Sequence, residues 1–342
     1  MKGYCVHKDG SCAIEELPIP SYGKYEALVK MESCGVCNGT DMKIIHGVFK
    51  GIDTYPVVLG HEGVGRVVQK GDGVTSFEIG DLVILPFNAD MPDGYTSGWG
   101  TFSEYGTVSD ANAMAAAGLD VPDFAWAQRK LPADFDPVAS AMIVTFREVY
   151  STMKRFGFEK GKSLCVLGLG PVGLSFVQFA KFIGMSPVIA IDRIPDKLEK
   201  AKAYGADLVI DNSEDADLVK TVRALCPDGI DFVLDAVGVS AFINTALSMI
   251  KPDAKVCVYG ISANMSQEID WSVCPYNWSL HFHQFPSKLA EGEAHDEIVA
   301  WIREGKLDPM EYISHVYDFE DIDKAYDNIH QKIPTMKMVI RF

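Results

Sequence analysis

Cys37, His61 and Glu62 are residue types that can hold a zinc ion. Cys37 lies in Cys34-Gly35-Val36-Cys37-Asn38-Gly39-Thr40-Asp41, and the other two lie in Gly60-His61-Glu62-Gly63-Val64-Gly65. A thiolate, an imidazole and nearby carboxylates are what a zinc site uses, and an open fourth position makes such a site catalytic. Alone they say little, because a single histidine is more often packed or solvated than ligating. A second stretch gives them a joint meaning: Val166-Leu167-Gly168-Leu169-Gly170-Pro171-Val172-Gly173 carries glycines at the spacing of a dinucleotide-binding turn. Gly168 permits the tight turn, Gly170 lets the backbone approach a pyrophosphate, and Gly173 lets a helix pack close on the strand before it. Backbone N–H groups of Val172 and Gly173, at the helix start that Pro171 opens, then face the phosphates, with the helix dipole behind them. Asp192, some twenty residues on, can accept hydrogen bonds from both ribose hydroxyls, which favours NAD over NADP; Arg193 beside it leaves tolerance for NADP. A Lewis acid lowers the pKa of a bound alcohol, whose alkoxide can then give a hydride to nicotinamide.

These residues need elements to hold them. Residues 163–167 form a short apolar run that reads as a buried strand; helical spacing follows over 174–183, then a second strand over 187–191. Further strands are expected at 207–210, 232–234 and 255–259, with helices beginning near Pro171, Pro195, Glu214 and Ser240. That alternation predicts a doubly wound parallel sheet. Ahead of it the pattern is β in character, with short strands at 2–7, 13–17, 26–32, 64–69, 81–86 and 104–108 between Gly, Pro and Asp turns. A short helix is expected at 38–46, a surface loop or lobe at 87–100, and one long helix over 137–156 with Asp136 as its N-cap before Pro137. After residue 284 the alternation stops. Helices at 288–304 and 319–329 and a closing strand at 336–342 return the chain to its first domain.

Composition bounds the partners. A chain of 342 residues suits two domains, and 48% hydrophobic residues support a large core. Its net charge of −16 repels nucleic acid and anionic membrane. No apolar run approaches the ~18 to 20 residues of a membrane span. The first residues carry no apolar signal-peptide core, so a cytoplasmic location is expected. The eight cysteines do not make a disulfide scaffold. Cys34 and Cys37 alone stand at C-x-x-C spacing, so a four-cysteine zinc knuckle cannot be built locally.

The chain resembles the zinc-dependent medium-chain dehydrogenase/reductase family of alcohol, polyol and threonine dehydrogenases. The motifs above carry the resemblance, together with Gly73-Val74-Thr75-Ser76-Phe77-Glu78-Ile79-Gly80-Asp81-Leu82-Val83 and Gly205-Ala206-Asp207. It implies a GroES-like catalytic domain (1–144 and 288–342), a Rossmann NAD-binding domain (145–287) and an active site in the cleft between them. Cys37 and His61 would be zinc ligands, and Glu62 a carboxylate able to approach or exchange onto the metal. Thr40 would start a proton relay, and Asp41 would hold the His61 imidazole. Catalytic roles thus fall on Thr40, Cys37 and His61, with one catalytic zinc and NAD(H) as cofactors.

Three departures stand out. Asn38 is an extra residue that could displace Thr40 and Asp41. The stretch 87–100 lacks the cysteines of a structural zinc lobe, so no structural zinc is expected. The family's third ligand position falls near Ile143-Val144-Thr145, none a good ligand. Glu148, one helical turn beyond Val144, is the expected substitute, as in the polyol branch; alternatively Glu62 completes the site. Cys34 is not expected to ligate. Phe87, Trp99 and Phe102 could wall a substrate pocket or simply pack, and His46 could pass a proton or lie idle in a loop. His281 and His283 alternate like one face of a strand. The expected activity interconverts an alcohol or polyol with its aldehyde or ketone, in a homodimer or homotetramer paired through the edge of the Rossmann sheet. The rivals are a metal-free quinone or enone reductase of the same superfold and a non-catalytic NAD-binding protein.

Overall fold

Alternation of strand and helix after residue 163 does build a parallel sheet. The computed structural model describes all of residues 1–342 except 214–216, 263 and 265. It divides into one unit of Met1–Arg147 with Ser287–Phe342 and a second of Glu148–Pro286; the sequence had placed these boundaries at 144/145 and 287/288. The second unit contains six strands in the order Leu208–Asp211, Val188–Asp192, Leu164–Leu167, Ile230–Asp235, Ile250–Val258, Trp278–Phe282, all parallel. Leu164–Leu167 is buried along its whole length, as the near-continuous apolar run of a central parallel strand must be. Leu167 pairs with Ile191 on one side and Asp235 on the other. The glycine turn, Asp192 and Asp235 therefore leave the sheet at one end, the carboxyl end at which open parallel sheets bind ligands.

Two features of this unit differ from the sequence reading. Ile250–Val258 begins five residues early, and Trp278–Phe282 adds a sixth strand. That strand is the sheet edge, half-buried and exposed by turns, so its sequence lacks the apolar run of its neighbours. The helix expected near Glu214 starts outside the described residues; the helix seen there is Leu218–Leu225, capped by Asp217, which accepts the Lys220 N–H at 3.0 Å.

The first unit holds two sheets. The larger runs Ile313–Asp318, Lys337–Arg341, Glu26–Val36, Glu62–Lys70, Leu82–Ile84, Arg129–Lys130, with Tyr105–Ser109 also paired to Glu26–Val36. The smaller runs Cys12–Glu16, Lys2–Val6, Val57–Val58, Thr96–Ser97. Tyr4, Val6, Cys34, Val36, Ile44, Leu59, Phe102 and Tyr326 pack into one core. Glu26–Val36 is central: Lys337–Arg341 pairs antiparallel on one side, with Met338 opposite Val36, and Glu62–Lys70 on the other, with Glu62 opposite Gly35. Three ends of strand thus converge on residues 35–37.

The lobe at 87–100 is not wholly a surface loop. Phe87 and Asn88 are buried, and Thr96–Ser97 pairs with Val57–Val58. The helix expected over 137–156 is two. Asp136 caps Pro137–Ser140 by accepting the Ala139 N–H at 2.8 Å, a turn intervenes at Ala141, and Met142–Phe156 follows. The helix expected over 288–304 likewise breaks, into Lys288–Glu293 and His295–Arg303. Among the described residues no helix is long and apolar enough to cross a membrane.

Candidate functional site

Cys37 stands where Glu26–Val36 ends and the helix Asn38–Ile45 begins; His61 and Glu62 open the neighbouring strand. One ligand atom from each of the three, the Sγ, a ring nitrogen and a carboxylate oxygen, lies within 4.8 Å of the other two. Among the described residues this is the one cluster of three such groups. Donor types and spacing fit a metal that draws them slightly together.

Asp41 organises the cluster. Its fully buried carboxylate accepts the Cys37 N–H at 2.9 Å and the Tyr326 hydroxyl at 3.2 Å through Oδ2. Oδ1 lies 3.5 Å from His61 Nδ1, and neither atom has another partner. That arrangement favours the proton on Nδ1 and frees Nε2 to ligate, as second-shell carboxylates do at metal-bound histidines. Burial pulls the His61 pKa down, but hydrogen bonding and charge from Asp41 and Cys37 outweigh it, and the net shift is well upward. Burial next to the same carboxylate pushes the Tyr326 phenol far up, so it stays a donor. Asn38 becomes the first residue of the helix, and this absorbs the extra residue without moving Asp41 off the imidazole. Thr40 is buried on that helix immediately before Asp41.

Glu62 is held from a direction the sequence did not suggest. Lys337, the first residue of the closing strand, donates to both of its oxygens, at 2.7 and 2.5 Å, and both side chains are buried. Thr145 lies beside the pair, its hydroxyl 3.5 Å from Glu62 Oε1. Register explains Gly35: it sits between the two strands that supply this pair, and a Cβ there would run into the Glu62 side chain, 3.2 Å from its Cβ and closer still to its carboxylate. The glycine of Cys34-Gly35-Val36-Cys37 is thus the gap that an ion pair crosses.

The other sequence candidates separate cleanly. Glu148 lies in the second unit, where its carboxylate accepts the Tyr259 hydroxyl at 3.4 Å. Cys34 is fully buried with its Sγ 3.1 Å from the Thr101 hydroxyl, and burial pushes its thiol far up. Phe87 and Phe102 are core residues. Trp99 is half-buried, with its ring centroid 5.2 Å from that of His61. His46 is exposed, 6.5 Å ring to ring from His330. In the second unit, His281 and His283 stand 6.0 Å apart on the edge strand and its end, and the Arg155 Nε–H donates to His283 Nδ1 at 3.2 Å.

The glycine turn has the shape that a phosphate cradle needs. Gly168 has φ +93, and a Cβ there would also strike Val237. Gly173 lies against the Gly168 carbonyl, while a Cβ on Gly170 would meet nothing within 4 Å. Open space over Gly170, at the N-cap of the helix Pro171–Phe182, is where an approaching pyrophosphate needs it. Asp192 Oδ1 accepts the Arg193 and Ile194 N–H groups at 2.7 and 3.0 Å, and Oδ2 accepts the Leu169 N–H at 2.7 Å. A carboxylate has about four acceptor sites, so Asp192 both braces the turn and keeps capacity for a ribose hydroxyl. The Arg193 side chain is exposed.

Comparison with known proteins gives two family matches, an alcohol dehydrogenase GroES-like domain over residues 23–119 and a zinc-binding dehydrogenase domain over residues 171–282. The chain is 28% identical over 384 residues to the alcohol dehydrogenase class-3 of Myxine glutinosa, covering 96% of each protein. It is similar to the alcohol dehydrogenase TADH of Thermus sp. ATN1 at a TM-score of 0.78 and 26% identity, covering 100% of this chain and 99% of that one. It is also similar, at a TM-score of 0.81 and 25% identity over 100% and 99% of the two chains, to the short chain alcohol dehydrogenase (rspB) of E. coli CFT073, solved with its cofactor NADH.

Proposed function

Because the chain belongs to the zinc-dependent medium-chain dehydrogenase family, we propose that this oxidoreductase uses zinc and NAD(H) to interconvert an alcohol or polyol with its aldehyde or ketone. The observation that carries the reading is the convergence of Cys37, His61 and Glu62 within 4.8 Å, with Asp41 behind the imidazole. Zinc held there would supply Lewis acidity at the substrate oxygen. Cys37 and His61 would be its ligands, with Glu62 as the third, balanced from behind by Lys337. Asp41 keeps the His61 proton on Nδ1 and orients the ring. The Thr40 hydroxyl would take the substrate proton as the first link of a relay, giving up its own proton towards solvent in the same step. In the second unit, the backbone N–H groups at Val172 and Gly173 bind the pyrophosphate, and Asp192 takes the ribose hydroxyl. Glu148 is the alternative third ligand in this reading.

A homodimer or homotetramer belongs to the same proposal. Among the described residues no strand pairs with the outer side of the edge strand Trp278–Phe282, and exposed Trp271, Tyr276 and Phe282 are close by in sequence.

The test follows NADH formation with a panel of alcohols and polyols before and after chelator treatment. Turnover that chelation abolishes and zinc restores supports the reading. NADH-dependent enone reduction indifferent to chelation would replace it with the metal-free reductase.

A further inference from the structure

Trp99 is held in an unusual way. Its φ is +67, a left-handed conformation that a bulky side chain rarely adopts. The segment around it is pinned on all sides. Gly98 N–H donates to Val58 O at 2.8 Å, Asn88 N–H to Trp99 O at 2.8 Å, and Thr101 N–H to Gly60 O at 3.0 Å. The buried Asn88 amide donates to Gly100 O and Tyr105 O at 3.0 and 2.8 Å, and the Ser97 hydroxyl to Asn88 O at 2.6 Å. Strain that the surroundings over-determine in this way points to a use for what it positions.

What it positions is an indole beside a candidate metal ligand. The Trp99 and His61 rings lie 5.2 Å apart at 54°, and Phe49 meets Trp99 edge-on at 6.0 Å and 84°. Core packing accounts for only part of it, since one side of Trp99 and Phe49 lies against the core around Phe102. Trp99 and Phe49 are both half-buried, unlike Phe102 nearby, and among the described residues the Trp99 Nε1 donates no hydrogen bond. The charged groups at hand are committed elsewhere: Glu62 to Lys337, and Asp41 to the Cys37 N–H, Tyr326 and His61.

Resting on the alcohol dehydrogenase reading above, we infer that Trp99 sets the substrate class. Its indole walls the substrate position beside His61 and selects alcohols whose carbinol carbon bears a flat apolar group, aryl or alkenyl, over polyols. An aryl group stacks on or edges against the indole. The further hydroxyls of a polyol lose water against the same face and find no partner on it, a rejection that an apolar wall exerts at up to about a hundredfold.

The test measures kcat/KM for benzyl alcohol and for sorbitol with NAD+ in wild type, Trp99→Gly and Trp99→Phe. Glycine removes the ring at a φ it adopts freely, so the fold is kept, and phenylalanine returns an aromatic wall. Wild type should favour benzyl alcohol. That preference should fall about tenfold or more in Trp99→Gly, the scale of one apolar pocket contact, and return in large part in Trp99→Phe. A ratio unchanged by Trp99→Gly, or a wild type that prefers sorbitol, overturns the inference and leaves the dehydrogenase reading standing. If wild type oxidises neither alcohol, calorimetric titration of the zinc-loaded protein with benzyl alcohol decides. Binding lost in Trp99→Gly and kept in Trp99→Phe upholds the wall, while binding indifferent to residue 99 overturns it; in either case the wider alcohol and polyol panel decides the dehydrogenase reading.

Discussion

Replacing Lys337 with methionine tests the site's electrostatics without touching a candidate ligand. In the native protein the Glu62 carboxylate is 3% exposed and bonded by the Lys337 ammonium at 2.7 and 2.5 Å. Methionine keeps the stem and removes the charge, which leaves a buried carboxylate without its counter-ion. Removing one partner of a buried pair typically costs about 3–5 kcal/mol. The cheapest escape is protonation, and at pH 7 protonating an ordinary glutamate, with pKa near 4.3, costs about 3.7 kcal/mol. Equilibrium urea unfolding of chelator-stripped Lys337→Met at pH 7 should therefore show a loss of about 3–4 kcal/mol. Lys337→Met/Glu62→Leu should recover most of it, because removing both charges of a buried pair is close to neutral. Zinc should also narrow the gap, since the metal gives Glu62 a new positive partner. A stripped Lys337→Met as stable as wild type, or a double variant no better than the single, would refute the reasoning.

Gly35→Ala should push Glu62 off Lys337, since the added Cβ meets the Glu62 side chain; overpacking of this kind costs about 1–3 kcal/mol, read as a lowered urea midpoint. Asp192→Ala removes the acceptor for the ribose and the brace on the Leu169 N–H, so the Kd for NADH by fluorescence titration should rise about tenfold or more, and an unchanged Kd would place the ribose elsewhere. His295 is buried with Nε2 on the Lys130 carbonyl, and burial beside Arg147 and Arg129 lowers its pKa to about 3. The unfolded chain takes up this proton near pH 6.5, so stability is lost as pH falls from 6.5 towards 3, by about 2 kcal/mol at pH 5. His295→Gln keeps the donor to Lys130 and should flatten that part of the urea-midpoint profile; an identical slope would exonerate His295.

What could be read from sequence was whatever is local. The turn at Gly168 to Gly173 announces itself because strand, glycines and helix are contiguous, and each glycine answers to a constraint within the same βα unit. Asp136 was legible as a cap for the same reason, though the break at Ala141 was not, since no glycine or proline in 138–156 marks it. Long-range partners were hidden. Lys337 reaches Glu62 across 275 residues of sequence only because the closing strand lies beside Glu26–Val36. The one available signal was a lysine opening an apolar strand, where burial calls for a counter-ion. Trp99 was indistinguishable from Phe87 and Phe102 until its backbone angle and its place beside His61 were known. Helical spacing from Val144 fixes the face on which Glu148 lies and not what that face meets.

Zinc content tests the central claim most directly. Elemental analysis of purified, tag-free wild type, Cys37→Ser and His61→Gln should find about one zinc per chain in wild type, removable by chelator and restored on reloading, and much less in either variant. Wild type without zinc after reloading, or variants that keep the full complement, would contradict the assignment of Cys37, His61 and Glu62 as the metal centre.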